Sequence, residues 1–424
     1  MTPLRIAMLT TFYPPYSFGG DALSVQRLAA ALARRGHDVT VVHDLDAYHA
    51  LAPKRRPATV LSPDGVRVIS LHSPLGITST FLTHQLGYPV MQRRWLRKIL
   101  DDGAFDIIWF HNISLLGGPG LLTQGDALKI YEAHEHWLIC PTHTLWRHNR
   151  ETCLARQCLR CVVHHRRPPQ LWRYTNMLPR SLRQVDAFIA KSEFSRRKHK
   201  EFGFSTDMDI VPYFLPEQEK AALAPGQPLH DRPYFLFVGR LERIKGLDEI
   251  IQVFQTYTDA DLLIAGDGAH GAVLRRQSAE IAGVRFIGHV APDRLSRYYR
   301  DAIALIVPSV CFETFGIILI EAFRNGTPVI ARRIGPFPEI IERCGGGVLF
   351  TNQAQLVSMM KQMQHDAQYR NSLALAARAG FDRHWSESVV IGQYFSTLQR
   401  AANRAGRRSL ATALGVAEEM EQSP

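Results

Sequence analysis

The 424-residue chain contains no run of about 18 uninterrupted apolar residues, which excludes an ordinary membrane-spanning helix. A secretory leader is not expected either. The apolar start Ile6 to Leu9 soon meets Tyr13-Pro14-Pro15, without a long apolar core or a small-residue cleavage site. The expected address is therefore the cytoplasm. Internal repeats and low-complexity tracts are also missing. Glycine (30) and proline (24) are too ordinary in number for a collagen-like or disordered chain. There is no recognition helix and no aromatic RNA-binding motif, so nucleic acid is not an expected partner.

Acidic residues are scarce in one region. Residues 1–215 carry 27 Lys/Arg against 17 Asp/Glu, and residues 147–200 carry 14 against 3, so almost all of the net +11 lies in the first half. An excess so placed points to an anionic partner or to a merely soluble basic surface.

What is present is a repeated alternation of short β-rich runs and helical patterns. In the first half the expected strands are Ile6–Leu9, Val39–Val42, Val66–Leu71, Ile107–Phe110, Leu128–Tyr131, Ala187–Ala190 and Met208–Val211. The clearest helix is Ala22–Arg35, with Leu23, Leu28, Ala31 and Leu32 at helical spacing. After a stretch rich in proline the alternation restarts at Tyr234–Val238 and continues through Leu262–Ala265, Val284–Ile287, Ala304–Val307 and Pro328–Ala331. Such alternation implies parallel sheets covered on both faces. The expected organisation is an N-terminal Rossmann-like domain over 1–212, a linker over 213–232 and a second βα domain over 233–385. A C-terminal helix, returning toward the first domain, and a frayed tail would occupy 386–424. Ligands of such sheets bind outside the carboxyl ends of the strands, so a cleft-forming enzyme is expected.

Several strand ends carry chemistry. Arg240 and Lys245 project from a strand-to-helix loop, where two cations beside a helix N-terminus suit a diphosphate or simply a solvated surface. Glu313-Thr314-Phe315-Gly316 follows an apolar strand, and Glu321 lies eight residues beyond Glu313. At that spacing both carboxylates can face one ligand and accept sugar hydroxyls, or serve as a cap and an exposed side chain. The segments "FVGRLERIKG", "LLIAGDG", "RFIGHV", "VPSVCFETFGIILIEAFRNGTPVIA" and "GPFPEII", in this order, resemble the C-terminal domain of the family 4 retaining glycosyltransferases.

That resemblance implies a GT-B α/β fold, two Rossmann-like domains facing each other across a cleft, and a nucleoside diphosphate sugar as donor. It implies that Arg240 and Lys245 hold the diphosphate, Glu313 lies near the donor sugar, Gly316 and Ile317 near the phosphates, and Glu321 at the ribose. No catalytic divalent metal is expected. Pro336 stands where many relatives carry glycine and supplies no N–H. In the first half, Gly19-Gly20 resembles the family's glycine loop facing the donor. "HEHWLIC" resembles its His-bearing segment beside the reacting sugar, which singles out His134, with His111 at a neighbouring strand end second. Glu135 replaces the usual aspartate.

Four cysteines, Cys140, Cys153, Cys158 and Cys161, form C-x12-C-x4-C-x2-C within an insertion at about 137–165. In a reducing compartment this spacing suits a structural zinc ion or four reduced thiols. Finally, Arg93-Arg94-Trp95-Leu96-Arg97-Lys98 and the Arg166–Arg173 stretch mix cations with tryptophan, as lipid-surface segments do and as ordinary amphipathic helices also do. The reading is a hexosyltransferase acting on a glycan or lipid-linked acceptor in cell-surface polysaccharide or glycolipid assembly, peripheral on an anionic membrane. A nucleotide-sugar epimerase, a glycoside phosphorylase and, remotely, a basic nucleic-acid-binding protein are the alternatives.

Overall fold

The computed structural model describes residues 3–52, 63–216 and 229–422. The chain divides into two compact units. One comprises residues 1–149, 155–213 and 387–424, the other 150–154 and 214–386. Of the linker expected at 213–232, residues 217–228 lie outside the described residues.

In the first unit the strands are β1 (Arg5–Leu9), β2 (Asp38–Asp44), β3 (Val66–Leu71), β4 (Ile107–Phe110), β5 (Leu128–Ala133), β6 (Ala187–Ala190) and β7 (Asp209–Ile210). They form one parallel sheet in the order β3-β2-β1-β4-β5-β6-β7. Every residue of β4, β5 and β6 is buried, as a sheet covered on both faces requires. The helix Gly20–Arg34 buries Ala22, Val25, Leu28, Ala29 and Leu32, a stripe at helical spacing. Leu23 falls off that stripe and is exposed.

The C-terminal helices belong to this unit as well. Arg35 pairs with Glu387 at 2.8 Å and with Glu421, and Arg34 reaches Glu387 at 2.7 Å. The tail expected to fray is instead helical over Arg408–Gln422. It buries Ala411, Leu414 and Ala417, three positions spaced by three that a charge count over the last residues conceals.

In the second unit β8 (Tyr234–Val238), β9 (Asp261–Ala265), β10 (Val284–Gly288), β11 (Leu305–Val307), β12 (Val329–Arg332) and β13 (Gly347–Phe350) form a parallel sheet in the order β10-β9-β8-β11-β12-β13. Its core joins Phe235, Leu262, Ile306 and Ile330 of the sheet to Ile250, Ile251 and Phe254 of one helix and Met360 and Met363 of another. Strand β13 is absent from the sequence reading, which ends its strands at Pro328–Ala331. The purpose of Gly346 and Gly347 is close approach. A Cβ on Gly347 would meet the Val329 carbonyl oxygen at 2.6 Å, and one on Gly346 would meet Ala377 at 2.5 Å.

In both sheets, strand ends and following loops carry the candidate residues. In the second unit the glycines of Gly266-Asp267-Gly268 let two such loops touch. A Cβ at Gly266 would lie 2.0 Å from the Gly239 oxygen. Leu241 N–H then donates to the Asp267 carbonyl at 3.0 Å, fixing the loop that carries Arg240.

Candidate active site

Within the second unit, the loop after β8 tightens into a single 3-10 turn, Arg243–Lys245, and turns into the helix Leu247–Val253 through Gly246 at φ 73°. A Cβ there would meet the Pro308 oxygen at 2.2 Å, so this loop packs on the segment that follows β11. The contact brings Lys245 to Glu313. Lys245 Nζ donates to Glu313 Oε1 at 2.8 Å, and Ser309 Oγ donates to the same oxygen at 2.8 Å.

Burial opposes the Lys245 ammonium, but the Glu313 carboxylate outweighs it and holds the lysine above its ordinary pKa. Burial likewise opposes the Glu313 carboxylate. Lys245, Ser309 and Arg240 outweigh it and hold the acid below its ordinary value. Both groups are therefore charged. Their side chains remain 18% and 19% exposed, so a ligand can reach them. Arg240 is more open and pairs with Glu242 at 2.9 Å.

Gly316, at φ 130°, precedes the helix Ile317–Arg324, so it sits at a helix N-terminus, the positive end of the helix dipole. A Cβ at Gly316 would come within 2.8 Å of the Phe337 ring. Glu321 stands a turn into this helix and accepts from Tyr299 Oη at 3.1 Å. Pro336 occupies the N-cap of Phe337–Cys344, beside Gly335, whose Cα faces the Glu313 backbone. Arg240, Lys245, Glu313, Gly316, Ile317 and Glu321 thus all lie on the loops and helix starts that follow β8 and β11. Ser309 and Tyr299 complete the group without any sequence signal of their own.

Within the first unit, Gly19 caps the helix Gly20–Arg34 in extended conformation. The preceding loop is held by rings: Tyr16 stacks on His43, and Phe18 stacks on Tyr48 at 5.0 Å. His111, just after β4, and His134, just after β5, form a buried pair with Nδ1 of the first 2.9 Å from Nε2 of the second. His134 Nδ1 lies 2.8 Å from the Tyr213 hydroxyl. Burial lowers both imidazoles, His111 to about 4, against the pull of Glu132, so both are neutral at pH 7.

Glu132 packs beneath the pair, 3.6 Å from His111 and 3.7 Å from His134, and forms an ion pair with Lys191, which follows β6. Among the described residues, His111, Glu132 and His134 alone bring three ligand-type atoms within 4.8 Å of one another. Lys191 already supplies the cation there, so the group does not call for a metal. Sequence reasoning missed Glu132 and Lys191, although Glu132 shares a strand face with His134 by its spacing of two.

The four cysteines are reduced, and Cys140, Cys153 and Cys161 are buried. Cys158 and Cys161 open and close the first turn of the helix Cys158–His164, three residues apart on one face. Burial, with the neighbouring Cys140 thiol adding to it, pushes both of their thiols above the ordinary range. Within the first unit, the Cys140, Cys158 and Cys161 sulfurs do not all lie within 4.8 Å of one another.

Comparison with known proteins covers both units. The family described as "Glycosyltransferase Family 4" matches residues 18–219, and "Glycosyl transferases group 1" matches residues 220–380. An uncharacterised glycosyltransferase of Methanocaldococcus jannaschii is 36% identical over 364 residues, spanning 81% of this chain and 84% of that protein. Sucrose-phosphate synthase of Thermosynechococcus elongatus has the same fold, with a TM-score of 0.70 at 18% identity over 93% of this chain and 99% of its own. Anabaena HepE, solved in complex with UDP, gives a TM-score of 0.65 at 17% identity over 94% and 100% of the two chains. No helix among the described residues is long and apolar enough to cross a membrane.

Proposed function

Because the chain belongs to the family 4 glycosyltransferases and has their GT-B fold, we propose that it transfers a hexose, with retention, from a nucleoside diphosphate sugar to an acceptor hydroxyl. The observation that carries this reading is the Lys245–Glu313–Ser309 cluster beside the start of the helix Ile317–Arg324.

As the bond from the sugar C1 to the phosphate oxygen breaks, negative charge builds on the departing diphosphate. Lys245, Arg240 and the first N–H groups at Gly316 and Ile317 are preorganised to stabilise that charge. The acceptor oxygen forms its bond to C1 on the same face, and its proton passes to the departing phosphate oxygen. Glu313 orients the donor sugar, Glu321 accepts from the ribose hydroxyls, and His134, backed by His111, hydrogen-bonds the sugar. The complex of HepE with UDP supports a nucleotide donor here.

For the acceptor we favour a lipid-linked glycan at an anionic membrane surface. Exposed Ile77, Phe81 and Leu86 lie on the helix Ile77–Leu86, and exposed Leu171 and Tyr174 lie on the turn docked to it by the Trp172 indole N–H on the His84 carbonyl. The helix Arg93–Asp102 exposes Trp95 together with Arg93, Arg94, Arg97 and Lys98. Apolar side chains rimmed by cations suit a headgroup layer.

The test is release of nucleoside diphosphate from a nucleotide-sugar panel, followed by the anomeric configuration of the product. A product inverted at C1 would sink retention. An epimer or a sugar phosphate in place of a new glycosidic bond would favour the alternative enzymes.

A further inference from the structure

Beneath His134 lies a charge arrangement that the transfer reaction does not use directly. Lys191 and Glu132 are both essentially without solvent exposure. Tyr394, from the helix Glu387–Arg404, closes the pair: its hydroxyl accepts from Lys191 Nζ at 2.7 Å and donates to Glu132 Oε1 at 2.8 Å. Lys191 also donates to the Val211 carbonyl at 3.2 Å and lies 4.6 Å from the centre of the Tyr213 ring. The second oxygen of Glu132 and His111 Nε2 have no hydrogen-bond partner. Two imidazoles therefore stand within 3.7 Å of a carboxylate and yet are uncharged.

We infer that Lys191 and Glu132 are positioning residues that hold the His111–His134 pair in its neutral form, so that His134 meets the donor sugar as an uncharged hydrogen-bonding group; the second half of this rests on the place given to His134 in the proposed transfer.

The reason is electrostatic. A buried carboxylate draws a proton onto the nearest imidazole unless another cation neutralises it. Lys191 is that cation, and it faces Glu132 from the neighbouring strand end, through the register of Ala133 with Ala190. The groups around the pair come from every adjoining element. They are Glu132 on β5, Lys191 after β6, Tyr213 after β7 and Tyr394 on the C-terminal helix, with Asp21 and Glu135 acting on Tyr213 from farther away. Lys191 is the cation that pairs with Glu132 there. Trp109 stacks on His111 and packs its edge on Tyr394, so rings cover the pair on that side.

The experiment follows the imidazole resonances of His111 and His134 by NMR in protein labelled at histidine, across pH, in the native chain, Lys191→Met and the double variant Glu132→Gln/Lys191→Met. Lys191→Met leaves Glu132 uncompensated, and an opposite charge at about 4–6 Å moves a pKa by about 1–3. One imidazole of the pair should therefore titrate higher by about that much. The acid limb of kcat should move the same way, with KM for the donor unchanged. The double variant, which has neither charge, should return both to native behaviour.

Equal titrations in the native chain and Lys191→Met would overturn the inference. So would a double variant that stays shifted, since a merely structural role cannot be repaired by removing a second charge. A titration that moves and reverts while the kcat profile does not would uphold the charge assignment and remove His134 from the donor sugar, which counts against the proposed transfer instead.

Discussion

Each unit of this molecule contains a Lys–Glu pair between residues that follow neighbouring strands or lie at their ends, and the two pairs behave differently. Lys191 and Glu132 in the first unit are 0% and 1% exposed, and a tyrosine hydroxyl bonds to both. Lys245 and Glu313 in the second unit keep almost a fifth of their side-chain surface. Burial dominates at Lys191 and leaves its pKa below the ordinary value, whereas the carboxylate dominates at Lys245 and raises it. Both pairs satisfy the same Coulombic rule. What separates them is access: the closed pair has no partner to exchange with, while the open one can give its cation to an incoming anion.

The largest expected effect would break the comparison at its closed side. Removing one partner of a buried pair strands the other charge and costs about 3–5 kcal/mol. Denaturant unfolding of Lys191→Met should show a loss of that size, largely recovered in Glu132→Gln/Lys191→Met. A loss near zero in the single variant would mean the two pairs are energetically alike.

Next comes the open side. Lys245→Ala should unfold at nearly the native denaturant concentration yet lose transfer by about 10²–10³-fold in kcat, the usual effect of deleting one preorganised group at developing charge. Full activity in the folded variant would sink the phosphate role.

Acidification should sharpen the contrast between the units themselves. Burial lowers His37, His43, His84, His111 and His199 to about 4, and all five lie in the first unit. Their unfolded forms bind protons near 6.5, so the stability they confer is complete above that value and drains away as pH falls toward 4. Glu132, held at about 2, contributes stability present above the ordinary carboxylate range and lost only at lower pH still. Hydrogen-exchange protection, taken relative to the intrinsic rate at each pH, should therefore fall first in the first unit between pH 6.5 and 4; an equal fall in both would contradict the assignment.

The smallest effect concerns surface charge. Arg94→Ala should weaken binding to anionic vesicles by about fivefold, on about 1 kcal/mol per surface cation, and should leave donor hydrolysis unchanged. Binding insensitive to this change and to lipid charge would remove the membrane reading.

Much of this molecule could be read without coordinates. Unbroken apolar runs such as Ile107–Phe110 and Ala187–Ala190 declare parallel strands because both faces are covered. The segment from Glu313 to Glu321 declares a loop entering a helix because glycine and an apolar run follow the first carboxylate. Other features resisted. No strand is expected at Gly347–Phe350, whose glycine is explained only by the close approach of Val329. The last helix reads as a frayed acidic tail until Arg35 is seen to bind Glu421.

The sequence by itself determined the two α/β units, the order of their strands along the chain and the residue types at the strand ends, because these follow from periodicity and local turn chemistry. Only the tertiary structure decided which of those residues are neutral and which are charged. The partners that set the state of His134 come from positions as far apart as Glu132, Lys191 and Tyr394, and desolvation acts on what surrounds a group in space, not on what adjoins it in the chain.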